Sequence, residues 1–212
     1  MRYNLDTSGK FKIVMNTYRV FGFWETLKEV VLYLLSCQTP NDDFDKKYGV
    51  MTSGFTESFE AGITDETARS LAVGYVPTRE VVIRHILKNT TKGLDLKEYS
   101  FIDLGCGKGR TLIVASQLPF KEVIGVELSP LHCEVATANV EGYLSNGRHP
   151  VLCRNVRVDC VNAADFEFPD TNLLIYMYRP FIGPIFKSVA DRVRHFQAVC
   201  GRRVLIAYSC PH

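Results

Sequence analysis

The stretch FIDLGCGKGR, residues 101–110, sets an acid, Asp103, two residues ahead of three glycines at alternate positions, Gly105, Gly107 and Gly109. Glycine at every second position forgoes side-chain packing and raises the entropic cost of ordering the backbone, so bare backbone must be needed there. Two uses fit: a small ligand lying against the main chain, or a helix packed very close to a strand. The spacing then sorts the ligands. A dinucleotide fingerprint is G-x-G-x-x-G, with a pyrophosphate on the next helix N-terminus, whose N–H groups would be free to receive it. Here the third glycine comes one residue early and Arg110 holds the last place. A carboxylate just before the loop repels a pyrophosphate but suits a ligand carrying an ammonium group. The phosphate-cradling pattern G-x-x-x-x-G-K-[ST] does not occur in the sequence.

Such a loop belongs at the carboxyl end of a strand, and the surrounding pattern supplies one. SFIDLG (100–105) is a short apolar run ending in glycine, followed by a helical stretch, GRTLIVASQL (109–118). EVIGVEL (122–128), NVRVDCV (155–161), NLLIYMY (172–178) and RVLIAYS (203–209) read as further strands. Helices are expected over TREVVIRHILKN (78–89), after Ser129 and Pro130 as N-cap and first residue, and over 185–199. Alternating helices and apolar strands predict an α/β fold, doubly wound around a mainly parallel sheet covered on both faces. This domain is expected to span 75–212. Residues 1–74 read as an N-terminal helical cap with one amphipathic helix (18–36), then a polar, glycine-dotted lid segment (37–74).

Composition bounds the partners. A net charge of +2 on 212 residues leaves no footprint of a dedicated nucleic-acid binder, and GRHPVLCRNVR and DRVRH read as solvated faces, with a polyanion surface as the alternative. The seven cysteines are odd in number, dispersed and without CxxC, which fits reduced thiols buried as small apolar residues in a cytoplasmic protein. Cys153, Cys160, Cys200, Cys210 and His212 lack the paired spacing of a zinc site, so no metal is expected. MRYNLDTSGKFKIV lacks the apolar run of a secretory leader. Glu25, Lys28 and Glu29 interrupt VFGFWETLKEVVLYLLS (20–36), so membrane insertion is not expected; a helix docked on the domain is, with a membrane-surface helix as the alternative.

DLGCGKG (103–109) matches D/E-x-G-x-G-x-G, the first motif of the class I S-adenosylmethionine (SAM) methyltransferases, and the chain resembles that family. The resemblance implies a Rossmann-like methyltransferase fold with SAM as cofactor. It assigns Asp103 and the loop residues Gly105, Cys106 and Gly107 to the methionine part, and Glu127 in VIGVELSP to the two ribose hydroxyls, which a carboxylate can accept together. Leu128 follows as a cofactor contact. Asn162–Ala163 fall where the family has D-A meeting adenine; an amide carbonyl can still accept from the adenine amine, and Asp165 is the alternative. More narrowly, FDKKYGVMTSG, GYVPTRE, DLGCGKGR, VIGVELSP and MYRPF, across about 42–210, are similar to a group of methyltransferases patterned FD…G-x-x-T-x-G, Y-x-P-T, DLG-x-GKGR, GVE-x-S-P and Y-N-P-F. Y-x-P-T is also similar to an element of the mitochondrial methyltransferase acting on a lysine of an ATP-synthase ring subunit. The non-SET histone lysine methyltransferase resembles the plan at greater distance. Tyr75 and Thr78 would then close over the methionine end; YVPT equally suits a plain helix entry, and the two readings are compatible.

Methyl transfer from a sulfonium asks an enzyme for in-line alignment, exclusion of water and, for an amine acceptor, a neutral lone pair. The resemblance puts the acceptor after the fourth strand, at YMYRPF, where relatives carry N-P-P-Y or N-P-F and the amide carbonyl orients the amine. Arg179 stands in the asparagine's place. It donates only and is always charged, so it prefers a carboxylate, phosphate or carbonyl. Tyr178 and Arg179 are the expected catalytic residues; Tyr176 and Phe181 would complete an aromatic pocket, with a core role as the alternative for Tyr176. A protein lysine amine is the favoured acceptor. A small molecule, RNA, or a SAM sensor without catalysis are the alternatives, and the sequence is silent on oligomeric state. The class normally adds an antiparallel pair after the fifth strand; with the sequence ending at YSCPH, either the sheet lacks those strands or the sequence is part of a longer chain.

Overall fold

The computed structural model describes residues 43–57, 60–72, 74–181 and 183–209. The helix expected at 18–36 and Cys37, Cys210 and His212 lie outside them. Among the described residues, three α-helices precede the sheet, α1 (Phe44–Tyr48), α2 (Glu66–Leu71) and α3 (Glu80–Thr90). Then follow β1 (Tyr99–Leu104), α4 (Arg110–Ala115), β2 (Glu122–Glu127), α5 (Pro130–Asn146), β3 (Val156–Cys160), β4 (Asn172–Tyr178), α6 (Pro184–Cys200) and β5 (Val204–Ser209).

The five strands are ordered β3-β2-β1-β4-β5 and every pairing is parallel. β1 is central and buried along its whole length, the reason its sequence is a continuous apolar run rather than an alternating one. On one face Phe101, Val123, Leu174 and Tyr176 pack with Ile83 and Leu87 of α3, Ile113 of α4, and Val140 and Tyr143 of α5. On the other, Ile102, Ile124 and Ile175 pack with Val189, Val193 and Phe196 of α6. This is the doubly wound, Rossmann-like arrangement expected from the sequence. The order in which strands are added reverses between β1 and β4, where such sheets open a crevice at their carboxyl edge.

Ser129 caps α5 by accepting from the His132 N–H at 3.1 Å, with Pro130 in the first turn, as read from the sequence. α4 stops at Ala115, three residues short of the expected end. The Ser116 carbonyl instead receives the N–H groups of Leu152 and Cys153, both at 2.9 Å, and cannot continue a helix. Cys106, Cys133 and Cys153 are buried as expected, whereas Cys160 and Cys200 are exposed. Among the described residues no helix is long and apolar enough to cross a membrane.

The segment 43–53 is built into the domain. Phe44, Tyr48 and Val50 join the core on the α3–α4–α5 face. Tyr48 and Lys47 both donate to Glu80 at the start of α3, at 2.7 and 3.0 Å.

Candidate active site

The glycine loop leaves β1 and turns back over the end of β2. Gly105, Gly107 and Gly109 all have left-handed φ, between 55° and 85°. Crowding adds to that requirement at two of them: a Cβ at Gly105 would overlap Pro180, and one at Gly107 would overlap the ring of Tyr75. The loop therefore serves close packing as well as bare-backbone exposure.

Four of its amides are engaged within the protein. Gly105 and Cys106 both donate to the Val126 carbonyl, at 2.8 and 3.1 Å, and Gly109 donates to the Cys106 carbonyl at 3.0 Å. Gly107 donates to Glu127 Oε2 at 2.9 Å. These four N–H groups are thus spent inside the protein and are not available to a pyrophosphate.

Two acids flank the loop instead. Asp103, 2 % exposed, sits at the end of β1 between Gly125 and Tyr176 of the neighbouring strands. Burial pushes its carboxyl up to about 8, against the pull of a bond from the Thr111 side chain and with the charge of Glu127 adding to the rise. Burial also raises Glu127, against bonds from the backbone of Ser129, Gly107 and Leu128. Glu127 Oε1 accepts from Ser129 N at 2.8 Å and Oε2 from Gly107 N. A carboxylate has about four acceptor positions, so these backbone bonds leave it capacity for a further donor such as a hydroxyl group.

Tyr75 lies on Gly107 and its hydroxyl donates to the Thr52 carbonyl at 2.5 Å. Burial drives its phenol upward, so it stays protonated. Thr78 is not a helix cap: Arg79 holds that place without a side-chain bond, and the Thr78 carbonyl accepts from Arg110 at 3.3 Å. Cys106 faces the core, its sulfur against the place a Gly125 Cβ would occupy, so only its backbone borders the loop. Leu128 is half-buried behind Glu127. Val161 N donates to the Glu127 carbonyl at 3.0 Å, which puts the Asn162–Ala163 turn beside the end of β2. Asn162 Oδ1 accepts from Ala164 N at 2.9 Å, fixing that turn, while Asp165 is exposed.

Tyr178 and Arg179 close β4 at the same edge, and Pro180 presses on Gly105. Arg179 has φ 41°, the single non-glycine positive φ among the described residues. Such strain, of order 1–2 kcal/mol, persists where neighbours over-determine it. Phe181 is buried and bridged to Ala72. Tyr176 is a core residue stacked on Phe101, on the far side of the backbone from Phe181 and Met177.

Three residues beyond the expected set shape the site. Arg110, 2 % exposed, donates to Thr52 Oγ1 at 2.8 Å, pairs with Asp45 at 3.6 Å and stacks on Phe44. Burial works to raise the Asp45 carboxyl, but bonds from Thr52 and Ser53 outweigh it and hold it low. Asn139 of α5 accepts from Met51 N at 2.8 Å and donates to the Met51 and Lys108 carbonyls. His132, 6 % exposed, has its ring 5.2 Å from that of Tyr75, and its Nε2 has no hydrogen-bond partner among the described residues. Burial, with the Lys108 charge, pushes it down to about 4, so the imidazole is neutral at physiological pH. The signal for Arg110 was the arginine closing GKGR; nothing in the sequence singles out His132.

No protein-family model matches the chain. Over 84 residues it is 37 % identical to a protein-lysine N-methyltransferase of Saccharolobus islandicus, covering 39 % of this chain and 50 % of that protein. Over 49 residues it is 39 % identical to a ribosomal protein L11 methyltransferase of Colwellia psychrerythraea, covering 23 % of this chain and 17 % of that one. The matches thus span half or less of these relatives. Among solved structures, an RNA methyltransferase from Salinibacter ruber in complex with S-adenosyl-L-homocysteine (SAH) superposes with a TM-score of 0.44 at 18 % identity, over 63 % of this chain and 76 % of that one. The two sequence relatives are methyltransferases, which bears out the resemblance read from the glycine loop.

Proposed function

We propose that the chain is a SAM-dependent methyltransferase whose cofactor lies along the glycine loop between Asp103 and Glu127. The observation that carries this reading is a buried acid, Asp103, and a half-buried one, Glu127, flanking a left-handed glycine loop with four of its amides already taken. That donor set fits an ammonium and a pair of hydroxyls, and does not fit a phosphate. The unpartnered Nε2 of His132 fits a polar ligand close by.

Bound SAM supplies a methyl group already activated on a sulfonium; the chain's work is to hold, align and exclude water. Asp103, kept protonated by burial, ionises beside an ammonium and orients the amino-acid end. Glu127 takes the ribose hydroxyls with the acceptor capacity its backbone bonds leave. Tyr75 and Thr78, tied to residues 52–53 through Arg110 and the Tyr75 hydroxyl, form the wall at the methionine end. Asn162–Ala163 border the adenine. Tyr178 and Arg179 face the acceptor.

The acceptor we favour is a lysine amine on a protein, in the cytoplasm. The Saccharolobus islandicus relative is named for that activity, and Y-x-P-T supports it. Arg179, a pure donor, favours a second reading in which the acceptor is RNA or an acidic small molecule.

Calorimetry tests the cofactor: SAH binds saturably and NAD does not, and the reverse result overturns the proposal. Methyl-labelled SAM added to lysate tests the acceptor. Label lost to protease supports a protein; label surviving protease and lost to nuclease overturns it in favour of RNA.

A further inference from the structure

Cys133, in the first turns of α5, and Cys160, the last residue of β3, meet at the carboxyl edge of the sheet. Cys133 is buried, its Sγ 3.4 Å from the Glu127 carbonyl oxygen. Cys160 is paired with that same Glu127 across the β2–β3 ladder and is exposed. Alternation explains the meeting: Val156, Val158 and Cys160 share one face of β3, and that face packs toward α5. Cys133 and the end of β3 also share an acceptor, because the Glu127 carbonyl that Cys133 Sγ approaches receives the Val161 N–H, one residue past Cys160, at 3.0 Å.

Adjacent thiols of unequal access have the layout that thiol–disulfide exchange requires, one sulfur open to attack and one beside it to resolve. Burial pushes the Cys133 thiol well up, so it is a poor first nucleophile. Its fixed proximity to Cys160 compensates in the second step, which is intramolecular.

We propose that Cys133 and Cys160 form a thiol–disulfide exchange site for small disulfides of the glutathione class, and that its closure weakens cofactor binding. In the first step Cys160 gives up its proton and its sulfur attacks glutathione disulfide; a protein–glutathione S–S bond forms, the glutathione S–S bond breaks, and one glutathione leaves as the thiol. In the second, the Cys133 sulfur loses its proton and attacks Cys160; the internal disulfide forms and the second glutathione leaves as the thiol. Two cysteine hydrogens end on two glutathione thiols, and the protein is oxidised by two electrons.

Closure draws Cys133 off the Glu127 carbonyl and ties the start of α5 to the strand end that leads into Val161 and Asn162. The effect on binding rests on the reading of Glu127 as the ribose acid; the exchange chemistry does not.

The full chain is incubated with oxidised glutathione and followed by intact mass and peptide mapping, then titrated with SAH before and after dithiothreitol. Wild type is expected to gain and lose one glutathione and to end with a Cys133–Cys160 cross-link. Cys133→Ser keeps the glutathione on Cys160, and Cys160→Ser forms no cross-link. Closure weakens SAH binding about tenfold or more, and reduction restores it. Absence of the cross-link in wild type, or a glutathione adduct that persists on Cys160, overturns the exchange site. Unchanged SAH affinity after closure overturns the coupling. If reduced protein binds no SAH at all, the cofactor reading falls, and the cross-link still decides the exchange.

Discussion

At the residue scale, Asp103 couples binding to stability with opposite signs. Its carboxyl titrates near 8 when folded and near 3.8 in an ordinary setting, so between those values the folded chain holds a proton that the unfolded chain has released. Stability from this group is therefore full below about pH 4 and lost as the pH rises through about 8. Asp103→Asn is expected to flatten that fall and to leave the variant more stable than wild type at about pH 8 by on the order of 1–3 kcal/mol, read from urea unfolding across pH. The same change is expected to weaken SAH binding by roughly 1–3 kcal/mol, since an ammonium loses its charged acceptor. A variant that binds SAH as wild type does removes Asp103 from the cofactor site. Arg179→Ala should separate the other function: SAH affinity unchanged, methyl transfer down by on the order of 10–100-fold. Equal loss of both would make Arg179 a cofactor residue instead.

At the scale of elements, the strands were the most legible part. NLLIYMY reads as a strand at its observed bounds, Asn172–Tyr178, because a strand buried on both faces is apolar at every position. The glycine loop and Glu127 were equally legible, since their spacing is set by backbone geometry local to β1 and β2. The role of 43–53 was not. Its docking uses polar residues whose partners lie far off in sequence, Thr52 to Arg110 and Met51 to Asn139, so neither periodicity nor composition marks it as packed. Arg110→Ala leaves the carboxylate of Asp45 and the hydroxyl of Thr52 without their cation, and is expected to cost roughly 3 kcal/mol. Limited proteolysis should then cut within 43–57 first. Cleavage elsewhere with 43–57 intact would show that Phe44 and Tyr48 alone hold the segment.

At the scale of the molecule, all five strands run parallel and deliver Asp103, Glu127, Asn162, Tyr178 and Arg179 to one edge. Sequence pattern captured that convergence because strand–helix alternation leaves few topologies. Which loops cover the edge was beyond it, since coverage depends on shape and not on period. A ligand bound at that edge stabilises the whole fold by mass action. At one hundred times its dissociation constant, SAH is expected to add about 2.7 kcal/mol, read as a rise in Tm, with no rise from NAD. An unmoved Tm under saturating SAH would place the binding energy outside the folded core.

The docking of residues 43–53 also sets a schedule for biosynthesis. His149 meets the Lys47 carbonyl across 102 residues, and Asn139 meets Met51 across 88. A ribosome adding about 5–20 residues per second exposes Phe44 and Tyr48 roughly 5–20 s before their seat on α5 has been made. Through that interval the segment has only its earlier partners, Glu80 for Tyr48 and Arg110 for Phe44. The segment thus completes its place in the wall only once α5 arrives.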